Sequence, residues 1–289
     1  MLLAVLLSAA MLPAADARES PATADARVSL EPLGRFDLKR IPESSGVVQS
    51  RRHPGVFWVH NDSGNPPILY AITRAGRILG AHRIAAANLD WEDIAVDGRG
   101  RLYIGDIGSN KGLLGLRVIH RIDEPDPSRP ARYFVKPTAS SWYSMPIGGR
   151  FDAESLVYDD EGDRAIVITK RLDGQEAELR EVPFNPPAPF AKPASPNRLG
   201  VLPGFVEPAT GADLSPDGRL LAVCGVRVVR VYERPDPRGW DNLKPIAEVK
   251  IRQKQQVEGI AWDGSDLILV SEGRGVDRIA EKTWKKSWE

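Results

Sequence analysis

Five times along its 289 residues the chain repeats one pattern, a short acidic or polar stretch that runs into an apolar strand. The copies read Glu43-Ser-Ser-Gly-Val-Val, Asp90-Trp-Glu-Asp-Ile-Ala, Asp152-Ala-Glu-Ser-Leu-Val, Thr210-Gly-Ala-Asp-Leu-Ser and Gln256-Val-Glu-Gly-Ile-Ala. Their third positions are Ser45, Glu92, Glu154, Ala212 and Glu258, spaced 47, 62, 58 and 46 residues apart. A turn follows each copy: His53-Pro-Gly, Asp97-Gly-Arg-Gly, Asp159-Asp-Glu-Gly, Pro216-Asp-Gly and Asp263-Gly-Ser. These are hairpin chemistries, because Gly and Asp tolerate the backbone angles that a tight reversal needs.

A second strand follows each turn, at Val56–His60, Arg101–Gly105, Ala165–Thr169, Leu220–Cys224 and Leu267–Ser271. Third strands are expected at Ile68–Thr73, Leu116–Ile122, Ala177–Pro183, Val226–Glu233 and Val276–Ala280. Fourth strands lead to the next copy at Arg77–Ile84, Arg132–Ala139, Arg198–Leu202 and Pro245–Ile251. Four short antiparallel strands per unit of about 40–60 residues is the pattern of a propeller blade. No long segment holds a helical period. The fold class is therefore all-β, a β-propeller of five blades. Six is the alternative if the proline-rich stretches 123–149 or 183–196 hold further strands. Blade five lacks a fourth strand, and Val28–Phe36 is a strand without a blade. The N-terminal strand is expected to complete the last blade, which also removes two exposed sheet edges.

Residues 18–289 thus form one propeller domain, preceded by a processing segment at 1–17. Leu2–Leu12 is apolar apart from Ser8, and Ala15-Asp16-Ala17 fits a small-x-small cleavage site. Such a run falls short of the ~20 residues a membrane span needs and suits a signal peptide. Export to the periplasm or the medium is expected, with no membrane span. Thirty-nine basic and thirty-nine acidic residues leave no net charge, which argues against a nucleic-acid partner. A single cysteine, Cys224, excludes an internal disulfide and a cysteine-rich metal site. Its apolar neighbours read as a buried strand. A monomer is expected.

In an antiparallel blade, the start of the first strand and the end of the second share one edge. Glu43, Asp90, Glu92, Asp152, Glu154, Asp213 and Glu258 precede or open the first strands, and Asn61-Asp62, Asp106, Lys170 and Glu272 follow the second. If the first strands line the axis, up to ten carboxylates and one lysine meet at one mouth of the channel. Residues two apart share a strand face, so Asp90 pairs with Glu92 and Asp152 with Glu154. Like charges repel, and a cation relieves that cost. A hard cation takes six to eight oxygen ligands. The metal set is Glu43, Asp62, Glu92, Asp106, Glu154 and Glu258, with Ca²⁺ the expected ion. The plain alternative is that each acid caps its own blade's amides or pairs with an arginine.

The stretches Glu43-Ser-Ser-Gly, His60-Asn-Asp-Ser-Gly, Asp90-Trp-Glu-Asp-Ile-Ala, Gly105-Asp-Ile-Gly-Ser-Asn and Asp152-Ala-Glu-Ser-Leu resemble a group of largely uncharacterised secreted bacterial β-propeller proteins. In layout the chain is also similar to propellers of the gluconolactonase and paraoxonase type. That resemblance implies Glu, Asn and Asp around a metal ion at the channel mouth. It does not extend to a histidine dyad, which this sequence lacks.

The expected activity is metal-assisted hydrolysis of a small ester, lactone or phosphoester, the ion polarising the attacked oxygen. The catalytic candidates are His60, Asp106 and Lys170. A metal-free glycosidase using two rim carboxylates is a variant. The rival class is a non-catalytic propeller that recognises a protein or glycan; the site's ligand is otherwise a small molecule or glycan. Gly105–Gly112 matches no nucleotide-binding fingerprint and reads as a loop over the mouth, with Asp106 and Asn110 inward. Trp91 stacks on a ligand or packs between blades. No Gly-x-Ser-x-Gly or His-Glu-x-x-His is present. The tail from Glu281 is too short to assign.

Overall fold

The computed structural model describes residues 27–109, 115–129, 134–145, 152–184, 193–252 and 256–287. The expected signal segment and Asn110 lie outside them. Among the described residues, twenty strands form five four-stranded antiparallel sheets. After β1 (Glu31–Arg35), blade one holds β2 (Ser44–Gln49), β3 (Val56–Asn61), β4 (Ile68–Thr73) and β5 (Ile78–Arg83). Blade two holds β6 (Trp91–Val96), β7 (Arg101–Asp106), β8 (Leu116–Asp123) and β9 (Ala139–Ser144). Blade three holds β10 (Asp152–Asp159), β11 (Arg164–Lys170), β12 (Glu178–Pro183) and β13 (Asn197–Val201). Blade four holds β14 (Ala209–Leu214), β15 (Leu220–Gly225), β16 (Val228–Glu233) and β17 (Lys244–Lys250). Blade five holds β18 (Val257–Asp263), β19 (Asp266–Ser271) and β20 (Gly275–Ile279).

β1 completes blade five, pairing Glu31 with Arg278 and Arg35 with Gly275. The two strands that were orphans in the sequence therefore close the ring. The first strand of each blade neighbours the first strands of the blades on either side. Five hydrophobic cores fill the five gaps between blades, including the one between blades five and one, where Val47, Phe57 and Val59 meet Ile268, Val270 and Val276. Neighbouring residues along a strand serve opposite gaps. In β15, Leu221 and Val223 pack toward blade three, while Ala222 and Cys224 pack toward blade five. Both faces of a middle strand are thus buried, which is why the second strands read as unbroken apolar runs.

This packing has two measurable consequences. A chain starting after Phe36 leaves β20 as an exposed edge and strips Leu30 and Phe36 from two cores. It is expected to aggregate, read as light scattering at a concentration where the parent stays clear. Cys224 is fully buried, and burial pushes its thiol far up. It is expected to resist a thiol reagent in the folded chain and to label fully in denaturant. Fast labelling of the native chain would contradict the buried strand.

One element differs from expectation, and the unassigned tail takes form. The fourth strand of blade two is Ala139–Ser144 and not Arg132–Ala139; Val135 instead makes a single parallel bridge to Ile84 of blade one. The apolar Phe-Val pair is used to join blades, and the strand itself is a serine-rich outer strand. The C-terminal tail forms a short helix, α1 (Glu281–Lys286), with Glu281 in its first turn and Lys285 and Lys286 in its last, the signs that suit the helix dipole. Trp284 seats it, edge-on to Trp262 at 5.9 Å and donating from Nε1 to Ser265 O at 2.9 Å. No described helix is long and apolar enough to cross a membrane.

Candidate metal centre

Each first strand slips register near its start. The slips fall between Ser44 and Val47, Trp91 and Asp93, Ala153 and Ser155, Ala209 and Gly211, and Val257 and Gly259. A bulge leaves one residue unpaired, bends the strand and re-aims the side chain. The residues so placed are Glu92, Glu154, Thr210 and Glu258, with Ser45 or Gly46 in blade one. The blade-four counterpart of the glutamates is thus Thr210 and not Ala212. The two hydroxyl positions tie one blade to the next: Ser45 Oγ donates to Glu92 O at 2.6 Å, and Thr210 Oγ1 to Val257 O at 2.8 Å.

The bulge in blade two brings three carboxylates together. Single oxygens of Asp62, Asp90 and Glu92 lie within 4.8 Å of one another. Metal–oxygen bonds of 2.3–2.6 Å place any two ligands of one Ca²⁺ within about 5 Å, so one ion can meet all three. Gly108 leaves the room they need, since a Cβ there would collide with both Asp90 and Glu92. The loop is held from beneath. Asp106 accepts the N–H of Leu89 at 3.2 Å and of Asp90 at 2.7 Å. Asn88 accepts the N–H of Trp91 at 3.0 Å and donates to Asp62 O at 2.9 Å, joining blade two to blade one.

The other acids extend this group. Burial, then Glu154, Asp62, Asp90 and Asp152, push the Glu92 carboxyl well above its ordinary range. Burial, then Glu154 and Glu272, raise Glu258 to about 8. Burial also raises Asp62, with Glu272 and Glu43 adding to it against the Ser63 N–H. Glu154 is raised by burial in spite of its ion pair with Lys170. Burial works to lower Lys170, but Glu154, Glu258 and Glu92 outweigh it and hold the ammonium charged. Asp62, Glu92, Glu154, Lys170 and Glu258 thus act on one another from blades one, two, three and five.

The remaining candidates are placed otherwise. Glu43 is exposed and accepts from Asn65 Nδ2 at 2.6 Å. Asp106, raised to about 6 by burial against its two N–H donors, is a cap for the Asp90 loop and stands outside the three-carboxylate group. His60 is fully buried, and burial lowers it to about 4. Its Nδ1 faces Asn61 O at 3.1 Å, and a carbonyl only accepts, so Nδ1 carries the proton. It is an interior imidazole against the edge of Trp91, ring centres 5.5 Å apart. Trp91 is itself buried between blades and donates to Ala87 O at 2.9 Å. Asp213 does not join the acids at the strand starts. It lies three residues beyond the bulged Thr210 and accepts the N–H of Trp262 at 2.8 Å in blade five.

One acid that matters was passed over in the sequence. Asp93, fully buried, accepts from Leu156 N at 2.8 Å and Ala212 N at 3.2 Å through Oδ2, and from Ile94 N at 2.9 Å through Oδ1. One carboxylate of blade two therefore holds blades three and four. Burial pushes it well above the usual carboxylate range, although three N–H groups oppose that. Its signal was the fourth residue of Asp90-Trp-Glu-Asp, which strict alternation assigns to the face opposite Glu92.

No family model and no curated protein matches the sequence. Solved structures are similar over most of the chain. A virginiamycin B lyase from Staphylococcus aureus, a catalytically inactive variant with quinupristin, is 12% identical over 81% of this chain, with a TM-score of 0.42. The chain spans 65% of that lyase chain. Kuenenia stuttgartiensis hydrazine synthase is 13% identical over 83% of this chain and 72% of its own, with a TM-score of 0.48. A chain of the Chaetomium thermophilum polycomb repressive complex 2 is 12% identical over 81% and 72%, with a TM-score of 0.43.

Proposed function

We propose that the chain is an exported propeller that binds one divalent cation, Ca²⁺, at the mouth of its central channel through Asp62, Asp90 and Glu92, and hydrolyses a small ester, lactone or phosphoester there. The observation that carries the reading is the convergence of those three carboxylates within 4.8 Å from two different blades. Three acids so close, and partly shielded from water, repel one another, and a cation removes that cost. An all-oxygen set without histidine or thiolate suits a hard ion. The ion, when bound, polarises the attacked oxygen and offsets the charge that develops on it. The chain's own groups supply the rest. Asp106 and Asn88 hold the Asp90 loop in place. Glu258, raised to about 8, holds a proton at neutral pH; as water adds to the substrate and the bond to the leaving group breaks, it would give that proton to the leaving group and recover one from the water. Lys170 offsets the charge of Glu154.

Elemental analysis of the purified chain should find one calcium per chain, removable by chelation. Asp90→Asn and Glu92→Gln should each abolish it. A panel of chromogenic acetate and phosphate esters and a simple lactone should show turnover that stops with chelator and returns with calcium. No ion in the parent chain sinks the metal reading, and turnover that survives chelation sinks the metal-assisted one.

A further inference from the structure

The end of the ring that carries the acids also carries most of the exposed apolar side chains. Seven large apolar residues stand exposed among the described residues. Five lie where first and third strands begin and second and fourth strands end. Leu38 sits between β1 and β2, Leu89 between β5 and β6, Leu116 at the first residue of β8, Leu172 between β11 and β12, and Val206 between β13 and β14. Antiparallel pairing puts all of these positions at the same end as Asp62, Glu92, Lys170 and Glu258. Of the other two, Phe134 follows β8 and Trp142 lies within β9. The opposite end carries the first-to-second-strand turns, such as Asp97-Gly and Pro216-Asp-Gly, and the connections from third to fourth strands, where Phe134 is the exposed large apolar side chain among the described residues. Leu172 is 79% exposed, beside the Lys170–Glu154 pair. Among the described residues, exposed large apolar side chains are thus concentrated at the end that carries the acids, a combination that suits a surface meeting a partner.

We propose that this end docks a basic polypeptide segment, whose lysine or arginine side chains enter the acidic centre while flanking apolar residues rest on Leu89, Leu172 and their neighbours. Charge complementarity selects the occupant. With Glu258 protonated, Asp62, Asp90, Glu92, Glu154 and Glu272 still outnumber the three positive charges of one divalent ion and Lys170. An anionic membrane would be repelled by the same acids. A small cation would leave the apolar side chains unused, since they stand on the loops of several blades. The inference goes beyond the hydrolase reading and holds with or without a bound ion.

The test uses the full chain and a short fluorescent peptide of alternating leucine and lysine, read by anisotropy. Peptides of serine with lysine and of leucine with glutamate are the comparisons. The leucine–lysine peptide should bind at least about tenfold tighter than either. Leu172→Ser and Leu89→Ser, both at exposed sites that do not threaten folding, should each weaken it several-fold, and Glu43→Gln with Glu272→Gln by about tenfold. Equal binding of the serine–lysine peptide, affinity unchanged in these variants, or capture by anionic vesicles would overturn the proposal. Repeating the titration in chelator separates the two readings. A chain that holds no calcium yet keeps peptide selectivity loses the metal reading and keeps this one.

Discussion

Adding calcium to the stripped chain at pH 8 is expected to raise its thermal midpoint by about 5–10 °C. A ligand at a hundred times its Kd stabilises the folded state by about 2.7 kcal/mol. Each kcal/mol is worth about 2–4 °C in a domain of this size. Glu92→Gln should remove most of the rise, because a neutral amide is a poor ligand for a hard ion. Glu154→Gln should blunt it less, since Glu154 is already paired with Lys170. The pH dependence has a definite sign. Glu258 titrates near 4.5 when unfolded and is raised to about 8 in the fold. Its protonated form favours the fold, so the metal-free chain loses stability as pH climbs from about 4.5 to 8. Calcium needs the ionised carboxylates, so its effect should be largest at pH 8 and nearly gone at pH 5. A midpoint that ignores calcium at both pH values would leave the acids as caps and acid–base groups.

Replacing Asp93 with alanine should cost at least about 3 kcal/mol, read by urea unfolding, because it strands three buried N–H groups at about 1–3 kcal/mol each. The loss should exceed that of Asp106→Ala, which strands two N–H groups, one of them only partly buried. Asp93→Asn keeps one acceptor oxygen and should fall between the parent and the alanine variant. If Asp93→Ala matched the parent, the carboxylate would not be what joins blades two, three and four.

The repeat was legible because a middle strand buried on both faces must be apolar throughout, and because each hairpin needs Gly or Asp at its turn. Ring closure was legible by elimination, through Val28–Phe36 and the incomplete last blade. The outer strand of blade two was not, since Ser140, Ser141 and Ser144 pack on one side only and carry little apolar signal. Grouping Asp90 with Glu92 was right, but the bulge that aims them was invisible to a rule of alternation. The same rule hid Asp93, and it led Asp213 to be aligned with the wrong position of its strand. Burial decided the rest. His60 and Asp106 looked like rim groups in sequence, yet one is interior and the other serves the backbone.

The bulges separate the socket from the scaffold. In blades two to five the ladder resumes two residues after the last pair, so the extra residue contributes no pairing that the sheet requires. Its identity is free to vary while the blade remains a blade, and here it is glutamate in three blades and threonine in a fourth. Chemistry at this end of the ring can therefore be rewritten one blade at a time. Thr210→Glu would add a fourth acid at the cost of a buried hydroxyl that bonds Val257 O and Cys224 O, so blade four would give up a tie to blade five in exchange for a ligand.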